Sequence, residues 1–387
     1  MLYIPLPKGR FVKIAGIAVI AVSILVVLTS TYSLNSLPPE KYSIPGSSLQ
    51  QGDGISNSHD GAIPNKVHYV HMMPDGPSGD IKLGLKHFIS VYSALLHLQP
   101  DIVYLHTDAS YTSIERAKDG PLALAPNKWA HLILNLPSVI VQRVSAPEIA
   151  SGTGVAITGL EHKSDFVRAE VVYEYGGMYM DFDVYALRDV KSLRESGFAN
   201  VLGRQKYGKV NSGCWMSQKG SLLMKMWVEG QHKVYDGRWT THSNDLLTNL
   251  SDPNGGGGLV TRLEGYLMPG GKEVGNEILI LDMAAFAPSS WELEDASALF
   301  EEHPRSVVGG ISENRNGTMN NHTLSWEIDY PSTYVLHAFK AMGKTIPNFD
   351  PEGITMRYLL AQRSNFARAV YPAVKHAVDA GIISAND

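Results

Sequence analysis

The chain has 387 residues, of which 44% are hydrophobic and 18% charged, and its formal net charge is −5 at pH 7. These values are typical of a globular protein with one large or two small domains, and they exclude a largely disordered chain. The negative balance gives no reason to expect a nucleic-acid partner. The single cysteine, Cys214, excludes an intrachain disulfide framework, and its apolar neighbours Trp215 and Met216 indicate a buried thiol.

An apolar segment near the N-terminus predicts a transmembrane signal anchor over residues 14–34. Residues 14–28 are apolar except for Gly16 and Ser23, and at about 1.5 Å per residue the whole segment reaches across a bilayer core of about 30 Å. Three cations precede it: Lys8, Arg10 and Lys13. The positive-inside rule therefore predicts a cytosolic tail over 1–13 and a luminal body, as in a single-pass type II protein of the Golgi or ER membrane.

A cleaved signal peptide is the alternative, because Thr31 and Ser33 fit a small-residue cleavage pattern. Residues 35–62 follow and are rich in Ser, Pro, Gly, Asn and Gln without a hydrophobic period. They predict a flexible stem. Three N-glycosylation sequons are compatible with a luminal body: Asn249, Asn316 and Asn321.

Strands and helices alternate through the remaining residues, 63–387, which we interpret as one catalytic domain. In chain order the pattern predicts strands over 67–70, 102–106, 139–144, 178–182, 211–217, 278–281 and 334–337, and helices over 83–98, from Ser164 to Gly176, over 222–234 and over 356–370. Such alternation is typical of an α/β fold with a mostly parallel sheet covered by helices. Ligands of these sheets bind at the carboxyl ends of the strands.

The most informative segment runs from Lys163 to Val184. It reads as a helix that ends at Gly176–Gly177 and a strand whose last residues carry Asp181 and Asp183. Side chains two apart in a strand point to the same face, so the two carboxylates repel each other unless a cation lies between them. Oxygen ligands favour Mg²⁺ or Mn²⁺, and such an ion suits the binding of a diphosphate leaving group.

The helix before this strand carries a second pair of charged residues. Ser164 is a plausible N-cap, and Asp165 in the first turn complements the helix dipole. Arg168 lies three residues after Asp165, so both share a face. Gly176 is then expected to close the helix in the left-handed conformation. The alternative is an ordinary helix–turn–strand with a surface salt bridge and a solvated Asp-x-Asp.

This block resembles the sugar-binding region of DXD glycosyltransferases of the family-32 type, such as yeast α-1,6-mannosyltransferases and mannosyl-inositol-phosphoceramide synthases. Weaker similarity extends along the domain at four landmarks: Ile63–Val70, Trp239–Ser243, Pro288–Trp291 and Tyr334–His337. The resemblance implies a Rossmann-like GT-A fold, Mn²⁺ or Mg²⁺ as cofactor, a nucleoside-diphosphate sugar as donor, and retention of the anomeric configuration.

The resemblance also implies roles for the residues of the block. Asp183 is the expected direct metal ligand, and Asp181 is expected to face the donor ribose and sugar, reaching the metal through water. Asp165 and Arg168 are expected to bind the donor sugar, with Arg168 close to the diphosphate because its guanidinium can hold two oxygens. Tyr179 shares the face of Asp181 and either hydrogen-bonds donor oxygens or only packs.

Three further residues are candidates for the same site. His337 lies in a segment similar to the closing strand of the family, where a histidine approaches the metal, and is a candidate metal ligand. His242 and Asn211 are candidate contacts of the donor sugar, and Asn244 beside them is an active-site candidate. A satisfied core histidine and a turn-forming asparagine are the structural alternatives.

These features together predict a metal-dependent glycosyltransferase that moves a hexose to a hydroxyl of a glycan or glycolipid acceptor. A membrane-anchored pseudoenzyme that binds glycans or nucleotide without turnover is the first alternative. A metal-dependent phosphotransferase or hydrolase that uses the same carboxylates is the second. The sugar, the base, the acceptor and the oligomeric state stay open.

Overall fold

A computed structural model describes residues 62–252, 276–304, 325–341, 343–349 and 353–387, together with three two-residue strands between 260 and 273. The predicted tail over 1–13, the anchor over 14–34 and almost all of the stem lie outside the described residues, as do Asn316 and Asn321. Among the helices that are described, none has the length and apolar character needed to span a bilayer.

The described chain alternates strands and helices, as the sequence predicts. The strands are β1 Lys66–His71, β2 Ile102–Thr107, β3 Val139–Arg143, β4 Gly177–Met180, β5 Val184–Ala186, β6 Asn200–Arg204, β7 Val210–Ser217, β8 Val260–Thr261, β9 Leu267–Met268, β10 Lys272–Glu273, β11 Ile278–Leu281 and β12 Val335–His337. The α-helices are α1 Leu85–Leu98, α2 Tyr111–Lys118, α3 Lys128–Leu134, α4 Leu160–Tyr175, α5 Lys191–Arg194, α6 Leu222–Val234, α7 Leu246–Ser251, α8 Met283–Phe286, α9 Leu293–Phe300, α10 Met356–Ala361 and α11 Asn365–Asp379.

Eight strands form the central sheet in the order β3-β2-β1-β4-β7-β6-β11-β8. Strands β1 to β4 pair in parallel, as do β6 and β11, whereas β7 runs antiparallel to both of its neighbours. Strands β5 and β12 form a separate antiparallel pair. The predicted α/β class with a mostly parallel sheet is confirmed, and the sheet reverses direction at β7, next to the strand that precedes Asp181.

The sheet is buried on both faces. Helix α1 and the C-terminal helices share one apolar core with β1, β2 and β4, and helices α4 and α6 enclose a second core around Trp215 and Trp227. Every residue of β7 is buried, which is the pattern expected of a central strand covered on both sides. The predicted buried thiol, Cys214, lies in this strand and is fully buried.

Two predicted details of the block around α4 are wrong. The helix begins at Leu160 with Gly159 as its N-cap, so Ser164 is an interior residue and its hydroxyl accepts a hydrogen bond from Arg168 instead. Gly176 has φ 63° and ψ 170°, which is a positive-φ extended conformation and not the left-handed helical one. A Cβ at Gly176 would lie 2.6 Å from the backbone nitrogen of Lys219, so only glycine fits.

Two predicted elements have different bounds in the structure. Strand β4 ends at Met180, so Asp181 and Asp183 lie in a turn and not within the strand. The helix predicted over 356–370 is two helices, α10 and α11, because Gln362 adopts a left-handed conformation and ends the first one. Ser364 then caps the second helix by accepting a hydrogen bond from the backbone of Ala367.

Candidate active site

The two carboxylates of the DXD motif lie in the tight turn that joins β4 to β5. The backbone N–H of Asp181 donates to the carbonyl of Gly213 on β7 (2.8 Å), and the N–H of Val184 donates to the carbonyl of Asp181 (3.0 Å). Phe182 between them points away and packs on the rings of Tyr69 and His87, at 5.0 Å from each. The turn is therefore fixed at both ends and in its middle.

Strand β12 brings His337 to this turn. It pairs antiparallel with β5 so that His337 lies opposite Val184, and His337 Nε2 is 3.3 Å from Asp183 Oδ1. One ligand atom from each of Asp181, Asp183 and His337 falls within 4.8 Å of the others. The structure thus brings together the three residues that the sequence predicts as a metal site, and it forms a cluster that can hold a cation.

Gly213 makes this cluster possible. A Cβ at this position would be 2.7 Å from Asp181 Oδ2 and even closer to His337 Cε1, and real Cβ atoms do not approach other atoms so closely. The absent side chain leaves the space in which the carboxylate and the imidazole meet. A glycine inside a buried strand is a sequence signal for such a close approach, and we did not single it out from the sequence.

Asn211 sets the tautomer of His337. The backbone N–H of Gly213 donates to Asn211 Oδ1, which leaves the amide nitrogen facing His337 Nδ1 at 2.8 Å. Because an amide nitrogen only donates, Nδ1 accepts, and the ring proton is on Nε2, which faces Asp183. Asn211 therefore contacts the cluster of Asp181, Asp183 and His337, and its predicted contact with the donor sugar stays a prediction.

Arg168 is the centre of a buried ion network. Its side chain is 8% exposed and lies 3.3 Å from Asp165 Oδ1 and 3.3 Å from Asp181 Oδ1. The guanidinium also donates to the carbonyl of Ser212 (3.1 Å) and to Ser164 Oγ (3.1 Å). The pair that the sequence predicts between Asp165 and Arg168 exists, but it is buried and joined to the DXD motif, which argues against a surface salt bridge.

Tyr179 completes the network from beneath. Its hydroxyl donates to Asp181 Oδ1 at 2.6 Å, and its ring packs under the Arg168 guanidinium at 4.7 Å from the ring centroid. The ring is buried against Trp215. The structure thus shows that Tyr179 packs and also hydrogen-bonds to the DXD motif. Its predicted hydrogen bond to the donor stays a prediction.

The electrostatics of the site separate the two aspartates. Burial raises the pKa of Asp181 and Asp183 reinforces the shift, while Arg168 opposes it. Burial also disfavours ionisation of Asp183, but His337 and Lys86 outweigh it and lower the pKa of Asp183. Burial disfavours the charge of Arg168 as well, yet Asp181 and its other neighbours hold the pKa above the ordinary value. Arg168 is therefore cationic at any working pH.

Asp165 is enclosed by a cluster of rings on its other side. His242 Nε2 lies 3.0 Å from Asp165 Oδ2, and the His242 ring stacks on Phe166 (5.4 Å) and meets the edge of His162 (4.8 Å). His242 and Asp165 are both buried. His242 thus lies beside Asp165, and its predicted contact with the donor sugar stays a prediction.

Several polar residues that the sequence did not single out support the site. Ser212 Oγ donates to Asn244 Oδ1 (2.8 Å), and the Asn244 amide in turn donates to Gln205 Oε1 (3.0 Å). Asn244 is thereby tied to the strand that carries Gly213. Neither serine nor glutamine has a distinctive spacing in the sequence, so no pattern indicates them.

Two lysines add positive charge beside the turn. Lys86, in the first turn of α1, interacts electrostatically with Lys340 and Asp183. Burial together with Lys340 lowers the pKa of Lys86. On the same side, Phe339 stacks on His337 (3.6 Å) and meets the edge of Trp291 (5.5 Å). The predicted landmark ending at Trp291 therefore reaches the site through Phe339.

Residues 87–205, which contain this turn and the Arg168 network, match the family model described as the glycosyltransferase sugar-binding region containing the DXD motif. The chain thus contains a region similar to that of DXD glycosyltransferases, over 119 of its 387 residues. It is also similar to glucan organizing enzyme 1 of Cryptococcus neoformans var. grubii serotype A, with 24% identity over 278 residues that cover 62% of this chain and 69% of that protein.

Solved structures similar to this chain have low identity and low TM-scores. The PaToxG glycosyltransferase is 14% identical, with a TM-score of 0.35 over 49% of this chain and 68% of its own. The glycosyltransferase GlyE of Streptococcus pneumoniae TIGR4 is 10% identical, with a TM-score of 0.36 over 83% of this chain and 65% of its own. An active-site mutant of LgtC is 11% identical, with a TM-score of 0.34 over 80% of this chain and 95% of its own.

Proposed function

We propose that this chain is a metal-dependent, retaining glycosyltransferase of the GT-A type that moves a hexose from a nucleoside-diphosphate sugar to a hydroxyl acceptor. The observation that carries the proposal is the buried Arg168, which joins Asp165 to the DXD motif. A surface salt bridge or a solvated Asp-x-Asp would be exposed to solvent. Here the charged residues form one buried network, and His337 lies beside the more exposed Asp183.

The residues present fit a hard divalent cation, Mn²⁺ or Mg²⁺. Two carboxylates supply oxygen ligands, and the missing Cβ of Gly213 leaves room beside them. Asp183 and Asp181 would hold the ion, and His337, whose Nε2 proton faces Asp183, would keep that carboxylate in place. When bound, the ion supplies charge neutralisation for the diphosphate leaving group.

The chain's own residues supply the other contributions. Arg168 places a permanent positive charge beside Asp181, where negative charge on the departing phosphate would be stabilised without reorganisation. Asp165 is held by Arg168 and His242, so it presents a fixed acceptor to sugar hydroxyls. Lys86 and Lys340 raise the positive potential around Asp183. We propose same-face attack assisted by the leaving phosphate, since the described residues of the site offer no separate carboxylate placed as a nucleophile.

Two observations weigh against the alternatives. A pseudoenzyme is free to lose its charged residues, yet Asp165, Arg168, Asp181 and Asp183 are all present, and Arg168 contacts both Asp165 and Asp181. A metal-dependent hydrolase with two ions needs a second ligand cluster, and within the described part of the chain only the group around Asp183 qualifies.

The direct test is a donor screen with the full chain. Wild-type protein is incubated with a panel of UDP- and GDP-sugars with Mn²⁺, with Mg²⁺, or with excess chelator, and release of the nucleoside diphosphate is measured. We expect release from one donor class that requires the cation. Full release in excess chelator would refute the metal assignment, and no release from any donor under any condition would favour the pseudoenzyme.

We propose a glycan or glycolipid acceptor in the lumen of the Golgi or ER, with residues 14–34 as the anchor. The name of the similar fungal protein, glucan organizing enzyme 1, supports a polysaccharide context. A glycosidase-sensitive mass shift that disappears in an Asn249/Asn316/Asn321 triple variant would support this topology. Digestion of the body by protease added outside sealed vesicles would contradict it.

A further inference from the structure

The indole of Trp239 stands in solvent beside the rings that enclose Asp165. It is 62% exposed, whereas the rings beneath it, those of His162, Tyr235 and His242, are almost completely buried. A single exposed apolar side chain needs no explanation by itself. The position of this one is different, because a short series of contacts joins it to a carboxylate of the active site.

The path from Trp239 to Asp165 has three steps. The ring of Trp239 lies 5.6 Å from that of His162, and the ring of His162 lies 4.8 Å from that of His242. His242 Nε2 is 3.0 Å from Asp165 Oδ2. His162 is held in turn by Tyr235, whose hydroxyl lies 2.9 Å from His162 Nδ1. Trp239 therefore rests on the same cluster that fixes the carboxylate.

The loop that carries Trp239 is held rigidly. It leads into a π-helical turn, Thr241–Asp245, in which the Asp245 N–H donates to the carbonyl of Thr240 (2.9 Å) and the Thr240 hydroxyl to Asp245 Oδ2 (2.8 Å). Ser243 Oγ donates to the carbonyl of Trp239 itself. Binding to a surface that is already ordered loses less conformational entropy.

We propose that Trp239 is the platform on which a pyranose ring of the acceptor glycan stacks. The proposal rests on the proposed function, and it names a carbohydrate as the acceptor. One face of a pyranose carries only C–H groups, which suit the large flat surface of an indole, while its hydroxyl edge needs polar partners. Asp236 and Thr241 lie three residues before and two residues after Trp239, are joined by a hydrogen bond from the Thr241 hydroxyl to Asp236 Oδ2 (3.2 Å), and supply oxygen atoms for that edge.

The charge near Trp239 favours a neutral sugar over a phosphorylated head group. The cation in the loop, Arg238, is paired with Asp236, with its Nε 3.6 Å from Asp236 Oδ2. The two charges offset each other, so this pair offers no net positive charge to a phosphate. Binding energy here comes from apolar contact and hydrogen bonds.

The test uses the full chain with the donor found in the screen and soluble gluco- and manno-oligosaccharides as acceptor probes. We expect Trp239→Ala to raise the acceptor KM at least tenfold while kcat at saturating acceptor changes by less than about threefold, and Trp239→Tyr to restore most of the loss. Tyr111→Ala is the matched control, because Tyr111 is 44% exposed and belongs to α2 near the edge of the sheet.

Saturation-transfer NMR with the same oligosaccharides, recorded without donor, gives a readout that does not need turnover. The wild type should show transfer to the ring protons of the sugar, and Trp239→Ala should lose it. An unchanged acceptor KM or an unchanged NMR signal in Trp239→Ala overturns the platform, as does a wild type that glycosylates only non-carbohydrate hydroxyls. If no donor is turned over, the proposed function fails, and the NMR comparison still decides the platform.

Discussion

Asp183 and Asp165 are both carboxylates of one site, yet they differ in exposure and in the number of charged partners around them. Asp165 is enclosed, with a side chain 11% exposed between Arg168 and His242. Asp183 is 35% exposed in a turn and has His337 on one side. An enclosed carboxylate already has its partners in the folded protein, whereas an open one keeps lone pairs for a ligand. The difference indicates that the Arg168 side is a scaffold already ordered before a sugar or phosphate binds, whereas the Asp183 side has room for a ligand of its own.

The largest expected effect tests the open side. Asp183→Asn should lower kcat/KM by at least about a thousandfold, because a neutral amide cannot replace a charged ligand worth several kcal/mol of charge stabilisation. Its thermal midpoint should change little, since the substitution removes both the repulsion with Asp181 and the attraction of His337 and Lys86. Steady-state kinetics and calorimetric unfolding measure the two quantities, with the exposed Asp119→Asn as control. A large loss of stability would show that Asp183 belongs to the scaffold.

The next effect tests the enclosed side. Arg168→Ala should remove about 2–4 kcal/mol of transition-state stabilisation, measured as a lower kcat/KM. This is similar to the loss of one preorganised charge-stabilising group. Unlike Asp183→Asn, it should also destabilise the fold by roughly 3–5 kcal/mol, because two buried carboxylates lose their cation. Titration calorimetry with the nucleoside diphosphate separates the roles. Collapse of this binding with unchanged turnover at saturating donor would make Arg168 a ground-state anchor instead.

A third substitution joins the two sides. Gly213→Ala places a Cβ against both Asp181 and His337, so one of them must move. We expect a loss of about 1–3 kcal/mol in stability from overpacking and at least a tenfold loss of activity. Gly84→Ala is the control, because a Cβ there meets the His87 ring at an ordinary 3.5 Å. Normal activity of Gly213→Ala would mean that the close approach has no role in the site.

The smallest effect lies in a third buried cluster, away from both sides. His68 donates to the carbonyl of Gly176 and accepts from His106, and burial lowers the pKa of His68 from 6.5 to about 4. A lowered folded-state pKa gives stability that is complete above pH 6.5 and is lost as the pH falls toward 4. The wild type should therefore lose about 1 kcal/mol relative to His68→Phe between pH 8 and pH 6. Denaturation curves that give the same stability difference between the wild type and His68→Phe at pH 8 and at pH 6 would contradict this.

The parts of the fold that the sequence predicts well are those with strong local periodicity. Helix α6 and strand β11 have the predicted bounds, because apolar side chains recur there at the spacing of the element. The helix α4 starts five residues earlier than predicted, with Gly159 as N-cap, because Ser164 has the chemistry of an N-cap but its hydroxyl accepts a hydrogen bond from Arg168. Local composition cannot distinguish these two uses of one serine.

The site shows the same division. The charged residues of the DXD block have a spacing that predicts their contact, and they do meet. Gly213, Ser212 and Asn211 lie on β7, which is distant in sequence and reaches the motif only because β7 pairs with β4 in one particular register. Their roles follow from strand pairing, which a single sequence without covariation does not contain. For this reason the sequence did not predict that Asn211 contacts His337.

Phe182, the middle residue of the DXD motif, has a consequence for the thermodynamics of binding. Its ring is seated against Tyr69 and His87, so the turn loses its conformational freedom when the chain folds and not when a cation arrives. The conformational entropy of the two carboxylates is thus lost during folding and not during ion binding. The affinity for an ion is therefore higher than it would be in a flexible turn. In this respect Phe182, the apolar residue of the motif, contributes to the affinity with which Asp181 and Asp183 bind a cation.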